Sequence, residues 1–358
     1  MEYSDNGDTQ TLKKTLQKAW GSRSWLASAL WPASLVYGSL VAVRRFLHSA
    51  GFFRSARMPV PVVVIGNVAA GGGGKTPLVI ALALHLQGKG ISVGVVSRGY
   101  GRKDDAADLV EVLRTTALAE SGDEPALIHK ATGVPVFVAR DRSLAAASLL
   151  RAYPSTRLLL CDDGLQHLAL QRDVEITVID NSGLGNGWLL PAGPLRESWP
   201  RRSETAGLVL HTGTAPAFEG FTSSRRLADH ALAQDGSKVA LNELKGTPLA
   251  ALAAIARPEA FFSMLRARGL VLEHTISLPD HHDFSGEAFS GLAGTTLLVT
   301  EKDAVKLFSL PLATKAQDVR VLAVPLEFVP EMAFMQAFDA LLTPLLSQLP
   351  SSHGTQTA

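Results

Sequence analysis

Residues 62–86, VVVIGNVAAGGGGKTPLVIALALHL, contain the residue types of a phosphate-binding loop. Glycines allow turns that point successive backbone N–H groups at phosphate oxygens, the lysine reaches the outer phosphates, and the threonine hydroxyl can bind Mg²⁺. The common pattern G-x-x-x-x-G-K-[ST] has a glycine where this chain has Ala69. Because that position has a geometric role and alanine is small, we predict a nucleotide site. Its residues are Ala69, Ala70, Gly71, Gly72, Gly73, Gly74, Lys75 and Thr76.

A nucleotide site of this kind needs an acidic residue at the end of a second strand to hold the metal ion. The segment RLLLCDDGLQH, residues 157–167, supplies Asp162 and Asp163 directly after an apolar run. Carboxylate oxygens suit Mg²⁺, and the triphosphate completes its shell. A simple DDG turn is the alternative, but the phosphate loop upstream favours a metal site.

Two further segments each permit a catalytic and a structural interpretation. In SGDEPALIHK, Asp123 and Glu124 begin a predicted helix, so their spacing alone favours capping against the helix dipole over a role as base or metal ligand. In SLPDHHDFS, residues 277–285, a predicted turn contains Asp280, His281, His282 and Asp283. A histidine paired with an aspartate can abstract a proton, whereas an exposed polar loop or a metal site are the alternatives.

Alternating strands and helices must position these residues. Short apolar runs predict parallel strands near 60–66, 134–138, 157–161, 174–180 and 207–210, and residues 91–101 predict a further strand followed by a basic loop. Predicted helices at 76–86, 123–132 and 141–150 fall between several of these strands. This alternation predicts an α/β fold like that of P-loop NTPases, with a mostly parallel sheet and helices on both faces. Residues 211–237 lose the pattern, and 238–345 resume it as a smaller α/β subdomain. The predicted divisions are 1–57, 58–235, 236–350 and a tail at 351–358.

Composition limits the class of protein. The 358-residue chain is 46% hydrophobic and 19% charged, with a net charge of +1, which argues against a nucleic acid partner bound by bulk charge. One cysteine, Cys161, allows no internal disulfide and fits a reducing, cytoplasmic compartment. Residues 1–57 are locally basic, with eight lysines and arginines against three acidic residues.

The N-terminal region is also apolar. Residues 24–43, SWLASALWPASLVYGSLVAV, carry no charge and precede Arg44 and Arg45. A helix of this length, about 30 Å, could span a bilayer, but Pro32 and several serines and glycines dilute the run. Its apolar residues Val36, Leu40, Val43 and Leu47 share one helical face. We therefore predict a helix lying in the membrane interface, with packing on the globular body and a full span as the alternatives.

Several of these segments resemble those of one family, the tetraacyldisaccharide 4′-kinases of lipid A biosynthesis. The matching segments span roughly residues 58–306 in family order: PVPVVVIGNVAAGGGGKTPLV, SRGYGRK, GDEPALIHKATGVPVFVARDR, CDDGLQHLALQRDVEITVID, LLPAGPLRE, LPDHHDF and TEKDAVK. The segment SLVYGSLVAVRRFLHSAG is similar to the family's N-terminal helix. The family itself lacks glycine at the first loop position, which makes Ala69 a smaller departure.

The resemblance implies transfer of the γ-phosphoryl group of ATP, with Mg²⁺, to the 4′-hydroxyl of a tetraacyl glucosamine disaccharide 1-phosphate. It also implies a peripheral enzyme on the cytoplasmic face of the inner membrane of a Gram-negative bacterium, with the lipid and the membrane surface as partners. The sequence indicates no oligomeric state.

Residue roles follow from the resemblance motif by motif. It implies catalytic roles for Asp123, His281 and Lys75, with the histidine pairing with the aspartate, and this replaces the capping interpretation of Asp123. It implies metal binding by Thr76, Glu124, Asp162 and Asp163. The implied substrate-binding residues are Arg98, Arg140, Arg142, Gln166, His167, Arg196 and Glu197, with Glu197 orienting Arg196. Since the predicted boundaries separate Asp123 from His281, we expect the domains to close on ATP binding.

Two other classes compete with this interpretation. A P-loop GTPase or metallochaperone would need a guanine-reading motif, which VTEKDAVK at 299–306 matches only in part because its lysine does not directly follow the threonine. A strand-to-helix junction with capping acids explains that segment equally well. A non-catalytic membrane adaptor that binds ATP would need no acid and histidine near the γ-phosphate.

Overall fold

The computed structural model describes residues 18–71, 73–103, 107–201, 205–213, 216, 218–280, 282, 284, 292, 294–309 and 319–349. Gly72, His281, residues 1–17 and the tail at 351–358 lie outside this set. The helices of the described residues are α1 (Trp25–Ser49), α2 (Lys75–Gly88), α3 (Leu118–Ser121), α4 (Asp123–Thr132), α5 (Arg142–Ala152), α6 (Pro258–Ala267), α7 (Glu301–Leu307) and α8 (Met332–Ser347).

The strands fall between these helices for most of the chain. They are β1 (Val62–Gly66), β2 (Val93–Ser97), β3 (Leu109–Glu111), β4 (Val136–Ala139), β5 (Leu158–Asp162), β6 (Val174–Ile179), β7 (Ala206–His211), β8 (Phe221–Leu227), β9 (His230–Leu232), β10 (Lys238–Ala240), β11 (Leu249–Ala253), β12 (His274–Ser277), β13 (Thr296–Thr300), β14 (Arg320–Val324) and β15 (Leu326–Pro330). The predicted mostly parallel α/β fold is confirmed.

Tertiary contacts divide the chain into two units that are discontinuous in sequence. The first comprises residues 1–98, 141–224 and 330–358, and the second comprises 99–140 and 225–329. The sequence-based prediction treated each domain as one continuous stretch of chain. The alternation of strands and helices along a sequence does not reveal that the chain leaves one unit and later returns to it. The segment 99–140, which carries Asp123, therefore falls in the second unit.

The first unit is built on parallel strands in the order β8–β7–β6–β1–β5–β2. β1 and β5 are buried along their whole length, because apolar side chains cover both faces of these two central strands. The register places Ile65 opposite Asp162. The carboxyl ends of β1 and β5 therefore lie side by side, and the phosphate loop and the DDG segment (residues 162–164) begin there.

The second unit contains the β3–β4 antiparallel pair and a sheet in the order β10–β9–β14–β13–β11–β12. In that sheet β14, β13, β11 and β12 are parallel, and β9 and β10 are antiparallel to their neighbours. Apolar side chains are buried on both faces of β11, with Phe262 and Leu265 of α6 in one cluster and Leu307 of α7 in the other.

Residues 211–237, where the sequence showed no periodic pattern, contain β8 and β9 in the structure. β8 reads FTSSRRL and is mostly exposed or half-buried, so it lacks the apolar alternation by which strands are recognised in sequence. These strands are instead defined by main-chain hydrogen bonds, which pair β8 with β7 and β9 with β10.

Helix α1 packs on the first unit by one face only. Ser34 donates to the carbonyl of Leu189 at 2.9 Å and accepts from the amide of Ala192, also at 2.9 Å, and the Tyr37 hydroxyl donates to the carbonyl of Arg196. The opposite face leaves large apolar side chains exposed, among them Val36 at 62% and Leu40 at 65%. By length and composition α1 is able to cross a membrane, which weakly indicates membrane association.

Candidate active site

The phosphate loop leaves β1 and is held by the segment that follows β6. Ala69 forms an antiparallel bridge with Leu195, and the Ala70 amide donates to the carbonyl of Pro194 at 2.7 Å. Backbone φ is positive at Gly71 (81°) and Gly74 (108°), and among the described non-glycine residues only at Asp163 and Phe284. Glycine is thus required inside the loop, whereas the bridged position 69 accepts an alanine.

Lys75 begins α2, and its ammonium lies 3.5 Å from Asp163 Oδ1. Asp163 adopts a left-handed backbone (φ 48°), a conformation that aspartate tolerates better than most residues. Burial raises the pKa of this carboxyl, but the charges of Lys75, Arg196 and Arg142 outweigh burial and hold the pKa below its ordinary value. Asp163 is therefore an anion near the start of α2.

Oxygen donors for a metal ion occur on two adjacent elements. Thr76 is buried in the first turn of α2, and Asp162 is buried at the end of β5, where it accepts from Ser97 Oγ at 3.4 Å. The described residues contain no group of three or more His, Cys, Asp or Glu side chains that could hold a metal ion by itself. Mg²⁺ needs fewer, because one or two carboxylates and substrate phosphates complete its shell. The donors present fit Mg²⁺ in that arrangement.

Arginines surround the DDG segment. Arg142 donates from Nη2 to the Asp163 carbonyl at 3.1 Å, and Arg196 Nη1 lies 3.4 Å from both Asp163 carboxylate oxygens. Burial lowers the pKa of Arg142, and the nearby charge of Arg98 lowers it further. The first unit thus contains three of the four predicted substrate-binding arginines: Arg98, Arg142 and Arg196. They concentrate positive charge where phosphate groups are expected. Arg140 lies in the second unit, exposed after β4.

His167 lies between Arg142 and Asp141. Its Nε2 is 3.3 Å from Asp141 Oδ1, and its Nδ1 is 3.5 Å from Arg142 Nη1. Burial lowers the pKa of His167 to about 4, and Arg142 adds to this lowering while Asp141 opposes it. His167 is therefore neutral near pH 7 and able to hydrogen-bond without adding charge.

Glu197 is the centre of a buried network that the sequence did not predict. Its carboxylate accepts from Arg45 of α1 at 2.5 Å, from Arg201 at 3.1 Å and from Gln166 Nε2 at 2.8 Å. Gln166 Oε1 in turn lies 3.4 Å from Arg196 Nη1. Glu197 is thus linked to Arg196 through Gln166.

In the second unit, Asp123 lies in the first turn of α4, but the N-cap residue is Gly122, whose φ is 82°. A side chain at Gly122 would meet the carbonyl of Tyr100 at 2.7 Å. The Asp123 carboxylate forms an ion pair with Lys306 Nζ at 2.8 Å, and Glu124 lies 4.0 Å from Lys302 Nζ. Acids in the first turn do favour the helix dipole, yet both also face lysines of α7.

Two residues of the PDHH motif (residues 279–282), Asp280 and His282, approach the same two lysines. Lys302 Nζ is 3.2 Å from Asp280 Oδ1, and Lys306 Nζ donates to the carbonyl of His282 at 3.2 Å. His281 lies outside the described residues. The sequence-based boundaries separated Asp123 from this motif, whereas the structure places both in the second unit. The expected closure of the domains on ATP binding stays a prediction.

The segment VTEKDAVK is a strand-to-helix junction. Thr300 is the N-cap of α7 and accepts from the Asp303 amide, while Asp303 Oδ2 accepts from Thr300 Oγ1 at 2.7 Å and from the Ala254 amide at 3.1 Å. This is the arrangement that the structural interpretation of the segment predicted. The i, i+4 spacing of Lys302 and Lys306 was the available signal for the lysines that sequence reasoning missed.

Comparison with known proteins gives one consistent result. Residues 26–343 match the family model for Tetraacyldisaccharide-1-P 4'-kinase. The chain is 61% identical to a tetraacyldisaccharide 4'-kinase of Polaromonas naphthalenivorans (strain CJ2), over 97% of this chain and 100% of that protein. It is also 61% identical to the one of Polaromonas sp. (strain JS666 / ATCC BAA-500), over 95% of this chain and 100% of that protein.

A solved structure with a similar fold is LpxK from Aquifex aeolicus, crystallised in complex with ATP. It is 29% identical to this chain and superposes with a TM-score of 0.75, covering 90% of this chain and 99% of that protein. Sequence, family model and fold agree over nearly the whole length, and the chain therefore belongs to the tetraacyldisaccharide-1-P 4'-kinase family.

Proposed function

We propose that this chain transfers the γ-phosphoryl group of ATP to the 4′-hydroxyl of a tetraacyl glucosamine disaccharide 1-phosphate, with Mg²⁺ as the metal. The main support for this proposal is the ion pair between Lys75 and Asp163 in a chain of this kinase family. Lys75 begins α2, and Asp163 directly follows β5. Phosphoryl transfer needs little covalent chemistry from the protein, so positioning and charge neutralisation are its main tasks.

The phosphate loop, its candidate metal ligands and a set of arginines bind the phosphates in this proposal. The loop residues Ala69, Ala70, Gly71, Gly72, Gly73 and Gly74 bind the β- and γ-phosphates, with Lys75 and Thr76 beside them. Mg²⁺, when bound, neutralises charge on the phosphate oxygens, and Thr76, Asp162, Asp163 and Glu124 are its candidate ligands. Arg98, Arg140, Arg142 and Arg196 contact phosphate groups, and Gln166, His167 and Glu197 orient the acceptor lipid and these arginines.

The second unit supplies the proton acceptor. Asp123 takes the proton of the acceptor hydroxyl, with His281 of the PDHH motif as its partner. A carboxylate suits this task because its oxygens can accept a proton and because the proton leaves late in a loose phosphoryl-transfer transition state. An Asp123→Asn variant is expected to bind ATP and lose most of its turnover.

The apolar face of α1 fits a lipid acceptor. The acyl chains of such a substrate stay in the bilayer, so the enzyme has to work at the membrane surface. We propose that the exposed apolar side chains of α1 enter the interface, with Arg44 near anionic headgroups, on the cytoplasmic side of the bacterial inner membrane.

The test is transfer of labelled γ-phosphate from ATP to the tetraacyl disaccharide 1-phosphate in mixed micelles, with Lys75→Ala as the control. A labelled lipid that disappears in the Lys75→Ala variant supports the kinase. Nucleotide binding without a labelled lipid would contradict it and favour an adaptor. Competition by unlabelled GTP as strong as that by ATP would favour the GTPase alternative.

A further inference from the structure

The second unit contains a pair of lysines that belong to neither the phosphate loop nor the DDG segment and that have no role in the function proposed above. Lys302 and Lys306 are four residues apart on α7 and so lie on one face of that helix. Their side chains are largely buried, at 20% and 16% exposure. Lysine is seldom buried without a charged partner, so the partners of this pair are informative.

Each lysine bridges the same two segments. Lys306 contacts the Asp123 carboxylate at 2.8 Å and the carbonyl of His282 at 3.2 Å. Lys302 contacts Asp280 at 3.2 Å and lies 4.0 Å from Glu124. The first turn of α4 and the PDHH motif are thus joined through two ammonium groups, one lysine for each acid of α4.

Helix α7 is itself held rigidly. Asp303 is buried and bonds both Thr300, the N-cap of α7, and the Ala254 amide, which follows β11. Leu307 and Ala304 of α7 are buried in an apolar cluster on the β11 sheet. A helix fixed at its first turn and along its apolar face holds its lysines in one position, which is the condition for pre-organising a catalytic group.

We propose that Lys306 is a positioning residue for the reaction, which holds the Asp123 carboxylate and the PDHH motif in the geometry needed for proton transfer, and that Lys302 supports the same geometry through Glu124 and Asp280. The proposal rests on the proposed role of Asp123. It assigns a function to the TEKDAVK segment, which a structural capping motif alone would not require.

A positioning residue acts through its partner, which makes a double-mutant cycle the sharpest test. The variants are Lys306→Met, Asp123→Asn and the pair together, with Lys238→Met, an exposed lysine of β10, as the matched control. In the lipid phosphorylation assay we expect Lys306→Met to lower kcat at least about tenfold and to change KM for ATP by less than about twofold. In the Asp123→Asn background the same substitution should cost nothing further.

Lys306→Arg keeps the charge and should recover part of the lost kcat, whereas Lys238→Met should match the wild type. If Lys306→Met does not fold, Lys306→Gln takes its place in the cycle. Equal losses of kcat in the wild-type and Asp123→Asn backgrounds, or full turnover by Lys306→Met, would overturn the proposal. Full turnover by Asp123→Asn would instead overturn the proposed role of Asp123, so the two failures are distinguishable.

Discussion

Arg45 on helix α1 and Glu197 in the loop after β6 form an ion pair of 2.5 Å, and the Glu197 side chain is only 4% exposed. The pair connects the apolar N-terminal helix to Gln166 and, through it, to Arg196 beside Asp163. Glu197 thus joins α1 to residues for which we propose substrate binding, and it adds to the hydrogen bonds of Ser34 and Tyr37 that hold the helix. We therefore expect α1 to influence the orientation of these residues, in addition to its proposed role at the membrane.

Arg45→Leu is expected to lower kcat/KM for the lipid about tenfold, which corresponds to about 1.4 kcal/mol. The reason is that Glu197 loses the arginine that orients it, and Gln166 is in turn oriented by Glu197. ATP binding should change little. The matched control is Arg44→Leu, which removes an equal charge from an adjacent exposed position. Equal losses of activity in the two variants would show that Arg45 acts through general charge at the membrane and not through Glu197.

The phosphate loop should tolerate substitution at its first position and not at its turns. Gly71→Ala places a side chain at a φ of 81°, which costs about 1–2 kcal/mol, so we expect ATP affinity to fall roughly tenfold. Ala69→Gly should stay within about twofold of the wild type, because position 69 is bridged to Leu195 in a conformation open to any residue. Isothermal titration with ATP measures both, and the reverse order of effects would contradict the loop geometry described above.

Stability should depend on pH through His167. Its pKa is about 4 in the folded chain against an ordinary value of 6.5, so between these values the unfolded chain binds the proton and the folded chain does not. The free energy of unfolding should therefore fall as pH falls from about 6.5 to 4. His167→Asn should reduce this dependence of the thermal midpoint on pH, and His274→Asn, at an exposed position of β12, should not. An unchanged pH dependence in the His167 variant would exclude this residue as its source.

Glu175 should be structurally indispensable. It is buried between Arg201, at 2.5 Å, and Arg172, at 3.3 Å, and all three side chains are at most 8% exposed. Glu175→Gln leaves two buried arginines with less compensating charge, which typically lowers the free energy of unfolding by about 3–5 kcal/mol. Urea denaturation measures this, with Glu243→Gln as an exposed control. A loss below about 1 kcal/mol would mean that Glu197 alone compensates Arg201.

Local patterns in the sequence correctly located the central elements. The apolar run before the glycines forms β1, and the segment that begins at Lys75 forms α2. The acidic residues of GDEP lie at the start of α4, and those of CDDG lie at the end of β5. These features depend on neighbours within a few residues, which is why spacing and residue type suffice to find them. The family resemblance then supplied the reaction, which geometry alone would have left as nucleotide binding.

The sequence by itself thus determined the phosphate loop, the alternation of strands and helices, and the apolar N-terminal helix. Only the tertiary structure decided that Asp123 belongs with the PDHH motif, that Lys306 pairs with it, and that Arg45 meets Glu197 across 152 residues of chain. The physical reason is that ion pairs between distant segments leave no periodic trace in a sequence. They form when the packing of β-sheets and helices brings particular side chains within a few ångströms of each other.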